Sequence, residues 1–293
     1  MDLFLKVAEA VTPVIVLAAA GIIWVRSGLE YSVQFVTRLT MSLGMPCLVF
    51  VALMRTEIDP TQIRALGLAS AAGYGILTLG AAGLLALAGL SQRTYLGPAV
   101  FGNTGNLGLP LALFAFGPTG FDYAIVVFAV MVLWSFTFGI WIVAGGGGVG
   151  PLLREPIVGA TLLGLLFLWQ GWHLPAAMTN TLELTGQMAI PLMLLTLGVA
   201  VARLRPGGIA LAALISALKL VACIATGWAV GSLAGLAPEA RAVLVLQLST
   251  PIAVTSYMLA EKYGADAQAV AGLVVVSTAM SLVALPLLLA LLL

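Results

Sequence analysis

The chain has 293 residues, of which 62% are hydrophobic and 8% are charged, and its mean hydropathy is +1.16. This composition lies far outside the range of soluble globular domains, so it excludes a soluble enzyme or binding module. The formal net charge of +1 gives no basis for nucleic acid as a partner. We therefore expect an all-α, polytopic integral protein of the inner or plasma membrane, surrounded by the lipid bilayer.

Apolar runs separated by short polar breaks predict ten membrane-spanning helices, because one span needs about 20 apolar residues. The first run also has small residues typical of a signal-peptide cleavage site, but the acidic Asp2 and Glu9 argue against a basic leader. In chain order the predicted helices cover residues 10–25, 33–54, 63–90, 94–117, 121–144, 155–172, 177–201, 207–235, 239–262 and 268–292.

A glycine-rich segment divides the chain almost in half. The sequence GGGGVGP begins at residue 145 and is typical of a flexible connection. We expect a cytoplasmic linker over 145–154, between a five-helix repeat at 1–144 and a second at 155–293. Because five is an odd number, the two repeats would cross the membrane in opposite directions, as in many secondary transporters.

Prolines inside the predicted helices support the repeat. Pro46 and Pro191 lie 145 residues apart, and Pro110 and Pro251 lie 141 residues apart. A proline inside a helix costs about 3 kcal/mol in water, so paired interruptions indicate a shared architecture. The alternative is that single kinks are packing devices, since proline is common in membrane helices. We favour this alternative for Pro46 and Pro191 and disfavour it for the other pair.

Lysine and arginine near the helix ends predict the orientation, since cytoplasmic loops carry an excess of these residues. Seven basic residues fall on one side and four on the other, which places the first side in the cytoplasm and both termini outside. The first set is Arg26, Arg38, Arg93, Arg154, Arg203, Arg205 and Lys262, and the second is Lys6, Arg55, Arg64 and Arg241.

The stretch FGNTGNLGLPLALFAFG, residues 101–117, predicts a break in the fourth helix. Unwound chain at membrane depth is tolerated only where protein or a water-filled cavity surrounds it. We expect the helix to stop near Asn103 and to restart near Gly108 or Leu109, with Pro110 in the first turn of the new helix. In the ninth helix, QLSTPIAVTSY gives a similar signal, with Thr250 as the N-cap and Pro251 as the first helical residue.

The two breaks predict a binding site for an anion. Each restart exposes free N–H groups at the positive end of a half-helix, and each stop exposes free carbonyl groups. If the breaks cross, they form a polar pocket that binds a carboxylate without a fixed positive charge. The expected substrate-binding residues are Asn103, Asn106, Gly108, Pro110, Gln247, Ser249, Thr250, Pro251 and Thr255.

These residues also carry a resemblance to a known family. The first break, N-T-G-x-L-G-L-P-L followed by Gly117, resembles the auxin efflux carrier family, which includes bacterial malate and malonate permeases and plant auxin exporters. The later run PIAVTSYMLAEKYGADAQAV resembles the ninth and tenth helices of that family. The resemblance extends over the whole chain in helix count and repeat.

The resemblance implies a fold related to sodium–bile acid symporters, with crossed fourth and ninth helices. Helices 3–5 and 8–10 would form an elevator-like transport domain, and helices 1, 2, 6 and 7 a scaffold through which a homodimer is expected. The implied substrates are small organic anions. Asn103, Pro110 and Pro251 match the crossover positions of the family, whereas Asn106 replaces a usual aromatic residue and Thr255 a frequent asparagine.

Lys219 is the basic residue that lies deep inside a predicted span, the eighth, where burial is costly without partners. It would balance the charge of a substrate, bind backbone carbonyl groups or snorkel to the surface. Cys47 and Cys223 lie in apolar runs as small hydrophobic residues, so we expect neither a disulfide nor a metal site.

The leading hypothesis is a secondary transporter that moves small organic anions by alternating access. The alternative is a sodium-coupled symporter of larger amphipathic acids. We expect no cofactor, but the neutral amide and hydroxyl groups are able to coordinate a sodium ion together with backbone carbonyl groups. An intramembrane enzyme would need a nucleophile with a base or a metal cluster within the spans. The single histidine, His173, falls in a loop, so we expect no enzyme. A passive channel is a further alternative, but the sequence has neither the ring of charges nor the filter motif that would indicate one.

Overall fold

The computed structural model of the protein describes residues 2–145, 155–203 and 208–293. Nearly all of these residues are helical, and the one extended feature among them is an isolated bridge between Gly102 and Ile252. Of the linker predicted at 145–154, all but the first residue lie outside the described residues.

The first half of the described chain contains seven helices and three π-helical turns. The helices are α1 (Asp2–Arg26), α2 (Val33–Leu39), α3 (Met45–Arg55), α4 (Pro60–Leu87), α5 (Gln92–Val100), α6 (Leu109–Trp134) and α7 (Ile140–Val143). The π-helical turns are Thr40–Gly44, Thr104–Gly108 and Ser135–Gly139. Gly117 interrupts α6 with φ 69° and ψ −161°, so α6 consists of two helical segments that meet at a kink. Only glycine adopts this backbone conformation readily.

The second half contains seven more helices in its described residues. They are α8 (Pro156–Gln170), α9 (Ala176–Gln187), α10 (Ala189–Arg203), α11 (Ile209–Leu233), α12 (Pro238–Leu248), α13 (Val254–Tyr263) and α14 (Ala267–Leu292). Met188 separates α9 from α10, three residues before Pro191, just as a π-helical turn ends two residues before Pro46. Both of these prolines therefore follow a local irregularity in their helix.

Local capping explains several helix ends. The carboxylate of Asp59 accepts a hydrogen bond from the N–H of Thr61 at 2.6 Å and caps α4, whose first residue is a proline. The carboxylate of Asp266 caps α14 in the same way by accepting from Ala269 at 2.9 Å. Such caps satisfy N–H groups that have no acceptor within the helix.

Among the residues that the structure describes, six helical stretches are each long and apolar enough to cross a bilayer by themselves. They are Val33–Arg55, Pro60–Leu87, Thr104–Val143, Ala176–Ala200, Ile209–Leu233 and Ala267–Leu292. An all-α, polytopic membrane protein is therefore confirmed. The arrangement of ten spans as two inverted repeats stays a prediction.

The helices pack in two groups. The first bundle contains α1, α2, α3, α8, α9 and α10, and its most extensive contacts join α1 to α10 and α3 to α8. The second bundle contains α4 to α7 and α11 to α14, with α11 packed against α4, α12 and α14. The α1–α10 contact is close, because a Cβ atom at Gly198 would overlap the carbonyl oxygen of Ala18. The assignment of a scaffold and a transport domain stays a prediction.

The restart of the ninth helix differs from the prediction. The sequence signal placed the N-cap at Thr250 and the first helical residue at Pro251, but α13 begins at Val254 with Ala253 as its N-cap. The hydroxyl of Thr250 instead donates to the carbonyl of Gln247 at 2.8 Å, so it does not cap the new helix.

The restart of the fourth helix agrees with the prediction in that the regular α-helix begins at Leu109, but a π-helical turn that the sequence did not predict precedes it. Its π-helical turn starts at Thr104, directly after Asn103, and only the regular α-helix starts at Leu109. The unwound part is therefore short and covers residues 101–103. The predicted stop near Asn103 agrees with the end of α5 at Val100 to within a few residues.

Candidate functional site

The two helix breaks cross each other inside the protein. Gly102 and Ile252 pair in antiparallel fashion, and the N–H of Asn103 donates to the carbonyl of Pro251 at 2.6 Å. A Cβ atom at Gly102 would overlap Oγ1 of Thr250 and lie 2.9 Å from its backbone oxygen. The two backbones approach each other this closely because residue 102 has no side chain.

The side chain of Asn103 lies at the crossing and is 4% exposed. Its backbone carbonyl accepts from the N–H groups of Leu107 and Gly108 at 3.0 and 3.1 Å, which closes the π-helical turn. Its amide nitrogen Nδ2 is buried and has no hydrogen-bond partner among the described residues. Buried polar groups normally have a partner, so Nδ2 is a donor that a ligand or a water molecule would satisfy.

Gln247, from the ninth predicted helix, packs against the break in the fourth helix. Its side chain is fully buried at the end of α12, and a Cβ atom at Gly108 would overlap its Oε1 atom. Neither Oε1 nor Nε2 has a partner within the described parts of the chain. Pro110 lies nearby as the second residue of α6 and is buried, where its missing N–H leaves no helical bond unmade.

A cavity lies where both helices restart, and we call it the crossing cavity. Its volume is about 20 Å³. Asn106 contributes from the π-helical turn after the first break, and Val254 and Thr255 are the first two residues of α13. The first N–H groups of a helix have no acceptor within it. Both restarts therefore present unpaired donors and the positive end of a helix dipole beside one cavity.

The opposite wall of the crossing cavity belongs to the first bundle. Its polar groups are hydroxyls, and no charged side chain lines the cavity within the described residues. Tyr31 braces this wall by a hydrogen bond of 2.8 Å between its hydroxyl and that of Thr196. The wall residues are Thr37, Thr40, Met41, Met193, Thr196 and Leu197.

Sequence reasoning did not identify these wall residues. A signal was present, because Thr37 and Thr40 lie one turn apart shortly before Pro46, and Met193 and Thr196 follow Pro191 at the same spacing. Residues three apart share one face of a helix. The interpretation of these two prolines as packing devices left the adjacent threonines out of the predicted site.

A second cavity lies on the other side of the crossing, and we call it the lysine cavity. It also measures about 20 Å³. Lys219 from α11 is 6% exposed, and its Nζ donates to the carbonyl of Thr250 at 2.8 Å and to that of Leu248 at 3.4 Å. Of the three roles expected for Lys219, the structure therefore shows the bond to backbone carbonyl groups. Ser216, Ser249 and Ser277 also line this cavity.

The structure thus distributes the predicted residues over three places. The crossing cavity is lined by Asn106 and Thr255. The lysine cavity is lined by Ser249, Thr250 and Pro251, together with Lys219. At the crossing, between the two cavities, lie the remaining four: Asn103, Gly108, Pro110 and Gln247.

A larger cavity of about 280 Å³ opens away from the crossing. Tyr95, Leu211 and Asp266 are among the residues that line it, and no predicted site residue does. The carboxylate of Asp266 would repel an anion. We therefore place the candidate site at the crossing, where free donors and buried polar groups converge.

The chain is similar to known transporter sequences. Residues 151–289 match the profile of the family described as Membrane transport protein. A protein named "Uncharacterized transporter" from Methanothermobacter thermautotrophicus is 28% identical over 299 residues, which cover 97% of this chain and 98% of that protein. Another protein named as an uncharacterized transporter, from Methanocaldococcus jannaschii, is 25% identical over 202 residues. This match covers 64% of this chain and 65% of that protein.

These matches agree with the apolar helices and with the motifs at the two breaks. They support an integral membrane protein that functions in transport, and the family named is one of transporters rather than of enzymes. The resemblance drawn from the sequence agrees with these matches: the second half of the chain is similar to the family of membrane transport proteins, and the whole chain is similar to an archaeal protein named as a transporter.

Proposed function

We propose that the protein is a secondary transporter of small organic anions that binds the carboxylate of its substrate in the crossing cavity. The observation that carries the proposal is that both restarts reach this one cavity, through Asn106 in the π-helical turn that precedes α6 and through Val254, the first residue of α13. Two positive helix ends attract one anion, and their free N–H groups donate to its oxygens. A break in a single helix would supply only one such end.

The lining of the crossing cavity favours a small and polar substrate. Asn106 and the hydroxyls of four threonines supply neutral hydrogen bonds, and Met41 and Met193 supply flexible apolar contacts. Mono- or dicarboxylates and auxin-like acids combine these two properties. The resemblance to the auxin efflux carrier family implies an aromatic residue at position 106, and the amide of Asn106 there favours a more polar anion than an indole acid.

The position of the crossing cavity favours alternating access. It lies between the two bundles, with Thr37 and Thr196 on the first bundle and Asn106 and Thr255 on the second. Its volume of about 20 Å³ holds about one water molecule, so a carboxylate enters only when the bundles move apart. We propose ten spans in two inverted repeats, with the second bundle moving as an elevator against the first.

The proposal is tested by ligand stabilisation and by uptake. The purified protein is screened by thermal melting against mono- and dicarboxylates, and the acids that stabilise it are then supplied to proteoliposomes. A ligand that binds only the native state at 100 times its Kd adds about 2.7 kcal/mol of stability. We expect at least one small carboxylate to raise the melting temperature and to be taken up.

Matched variants connect the activity to the cavity. Asn106→Leu and Thr255→Val remove hydrogen-bonding groups at nearly constant volume, and each is expected to weaken binding about fivefold to tenfold, the size of one neutral hydrogen bond. The control Thr161→Val alters a buried threonine of α8 that does not line the cavity. The proposal fails if no carboxylate stabilises the protein, or if the control weakens binding as much as the cavity variants do.

A further inference from the structure

The cavity beside Asp266 lies apart from the crossing and has no part in the proposed transport site. Its volume is about 280 Å³, just below the range of about 300–1,000 Å³ that is typical of pockets for small organic ligands. Three helices of the second bundle form it, since Tyr95 belongs to α5, Leu211 to α11 and Leu273 to α14. The cavity therefore has room for a compact group of several polar atoms.

The cavity adjoins an exposed apolar stripe on α11. Leu211, which lines the cavity, is 36% exposed, and Leu214 and Leu218 further along the helix are 57% and 54% exposed. Residues three and four apart lie on one face of a helix, so the three leucines form a continuous stripe along a candidate membrane span. Because α11 begins at Ile209, the cavity lies at the end of this span, at the level of lipid headgroups. An acyl chain along the stripe would bring its own headgroup to the cavity.

The charges around the cavity complement a zwitterion. Among the described residues that line it, Asp266 is the one charged side chain. Its Oδ1 accepts from the N–H of Ala269 as the cap of α14, which leaves Oδ2 able to accept from a ligand. Across the cavity Gly208 precedes α11, whose start has no side-chain cap among the described residues and carries partial positive charge. An ammonium group beside Asp266 and a phosphate beside the start of α11 would each meet the opposite charge.

We propose that this cavity binds the phosphoethanolamine headgroup of a membrane lipid, with the primary ammonium group on Asp266 and an acyl chain along the leucine stripe of α11. A primary ammonium group donates three hydrogen bonds, as a lysine side chain does, whereas the trimethylammonium group of phosphatidylcholine donates none. Asp266 would repel an anionic headgroup that has no amine. Binding of this lipid does not depend on which substrate the protein transports.

The test measures the melting temperature of the purified full chain with added lipid. The protein in detergent is titrated with dioleoyl phosphatidylethanolamine, phosphatidylcholine or phosphatidylglycerol, and separately with water-soluble phosphoethanolamine. A ligand that binds only the native state raises the melting temperature by mass action. We expect phosphatidylethanolamine to raise it more than the other two lipids do. Phosphoethanolamine lacks the acyl chains and should have a much smaller effect at the same concentration.

Asp266→Asn is the variant that removes the charge and keeps the helix cap. Asparagine caps helices as well as aspartate does, so α14 should remain intact. We expect the variant to need about threefold to fivefold more phosphatidylethanolamine for half of the stabilisation, the size of the effect of an exposed ion pair. The control Asp59→Asn changes the aspartate that caps α4 and does not line the cavity. This control should keep the lipid preference of the wild type.

A series of headgroups tests the wild type without any substitution. Each methyl group added to the amine of phosphatidylethanolamine removes one N–H donor, so the stabilisation should fall stepwise from the primary amine to phosphatidylcholine. This series decides the matter alone if the Asp266→Asn protein does not fold.

Four results would overturn the inference. The first is equal stabilisation across the methylated series. The second is an Asp266→Asn protein that keeps the full preference for phosphatidylethanolamine, because the carboxylate would then not bind the amine. The third is stronger stabilisation by phosphatidylglycerol than by phosphatidylethanolamine. The fourth is stabilisation by phosphoethanolamine as strong as that by the lipid, since the ligand would then be a soluble molecule.

Discussion

Replacing Gly102 with alanine should separate the two crossed helix breaks. The new Cβ atom would overlap Oγ1 of Thr250, lie 2.9 Å from its backbone oxygen and lie 3.3 Å from its Cβ atom. The hydroxyl is fixed by its bond to the carbonyl of Gln247, and the backbone oxygen of Thr250 accepts from Lys219. Neither group moves without breaking a buried hydrogen bond, so the backbone of the crossing itself must shift.

The expected magnitude follows from these contacts. Overpacking a well-packed interior costs about 1–3 kcal/mol, which corresponds to a factor of about 5 to 150 in the folding equilibrium. The hydrogen bond from Asn103 to Pro251 and the pairing of Gly102 with Ile252 would lengthen at the same time. Gly102→Ala should therefore lower both the melting temperature and the affinity for the stabilising carboxylate.

Gly80→Ala is the matched control for this prediction. Gly80 lies inside α4, and a Cβ atom added there would have no neighbouring atom within 4 Å, so alanine fits without a clash. Alanine favours the helix over glycine by about 1 kcal/mol, and the melting temperature should stay constant or rise. Thermal melting of both variants with and without ligand measures the difference. A Gly102→Ala protein as stable and as active as the Gly80→Ala protein would refute the close crossing.

Three further variants test other parts of the structure. Gln247→Leu should leave the melting temperature of the ligand-free protein unchanged or higher, because the buried amide has no described partner to lose; a marked drop would reveal a missing partner. Gly198→Ala should destabilise the protein, since its Cβ atom would overlap the carbonyl oxygen of Ala18 and force α1 from α10; an unchanged melting temperature would argue against this packing. Asn103→Ala should keep the fold through its backbone bond to Pro251 and abolish carboxylate stabilisation, and full binding in the variant would remove Asn103 from the site.

The positions of the two breaks were predictable from the sequence because the responsible residues act locally. Glycine and proline change the backbone at their own positions, so the clusters before Pro110 and around Pro251 indicated where helical order ends. The contact between the breaks followed from a physical requirement, namely that unwound chain in a membrane must be surrounded by protein or water. The antiparallel pairing of Gly102 with Ile252 fulfils this requirement.

The residues where the helices restart were not predictable in the same way. The dipeptide of Thr250 and Pro251 has the local signature of a helix start, but the carbonyl of Pro251 binds Asn103 and the N–H of Ile252 donates to the hydroxyl of Ser277 at 3.1 Å. These contacts with distant segments keep the chain extended to Ala253. Local preference is a weak guide where such tertiary bonds compete with it.

The partners of Lys219 and the wall of the crossing cavity were also not predictable from the local sequence. Burial of Lys219 followed from its depth in an apolar run, but its bonds to Leu248 and Thr250 depend on how α11 packs beside α12. Thr40 lies in a π-helical turn for which the sequence gives no clear signal. Its role in the cavity becomes visible only when the two bundles are placed side by side.

The central claim is that both restarted helices donate to one carboxylate. The most direct measurement is an electron cryomicroscopy structure of the protein with the carboxylate that stabilises it most. We predict that the carboxylate oxygens lie within about 3.2 Å, the upper range of an N–H···O hydrogen bond, of backbone N–H groups at Asn106 and at Thr255. Density for the ligand in the cavity beside Asp266, or contact with only one of the two restarts, would contradict the account.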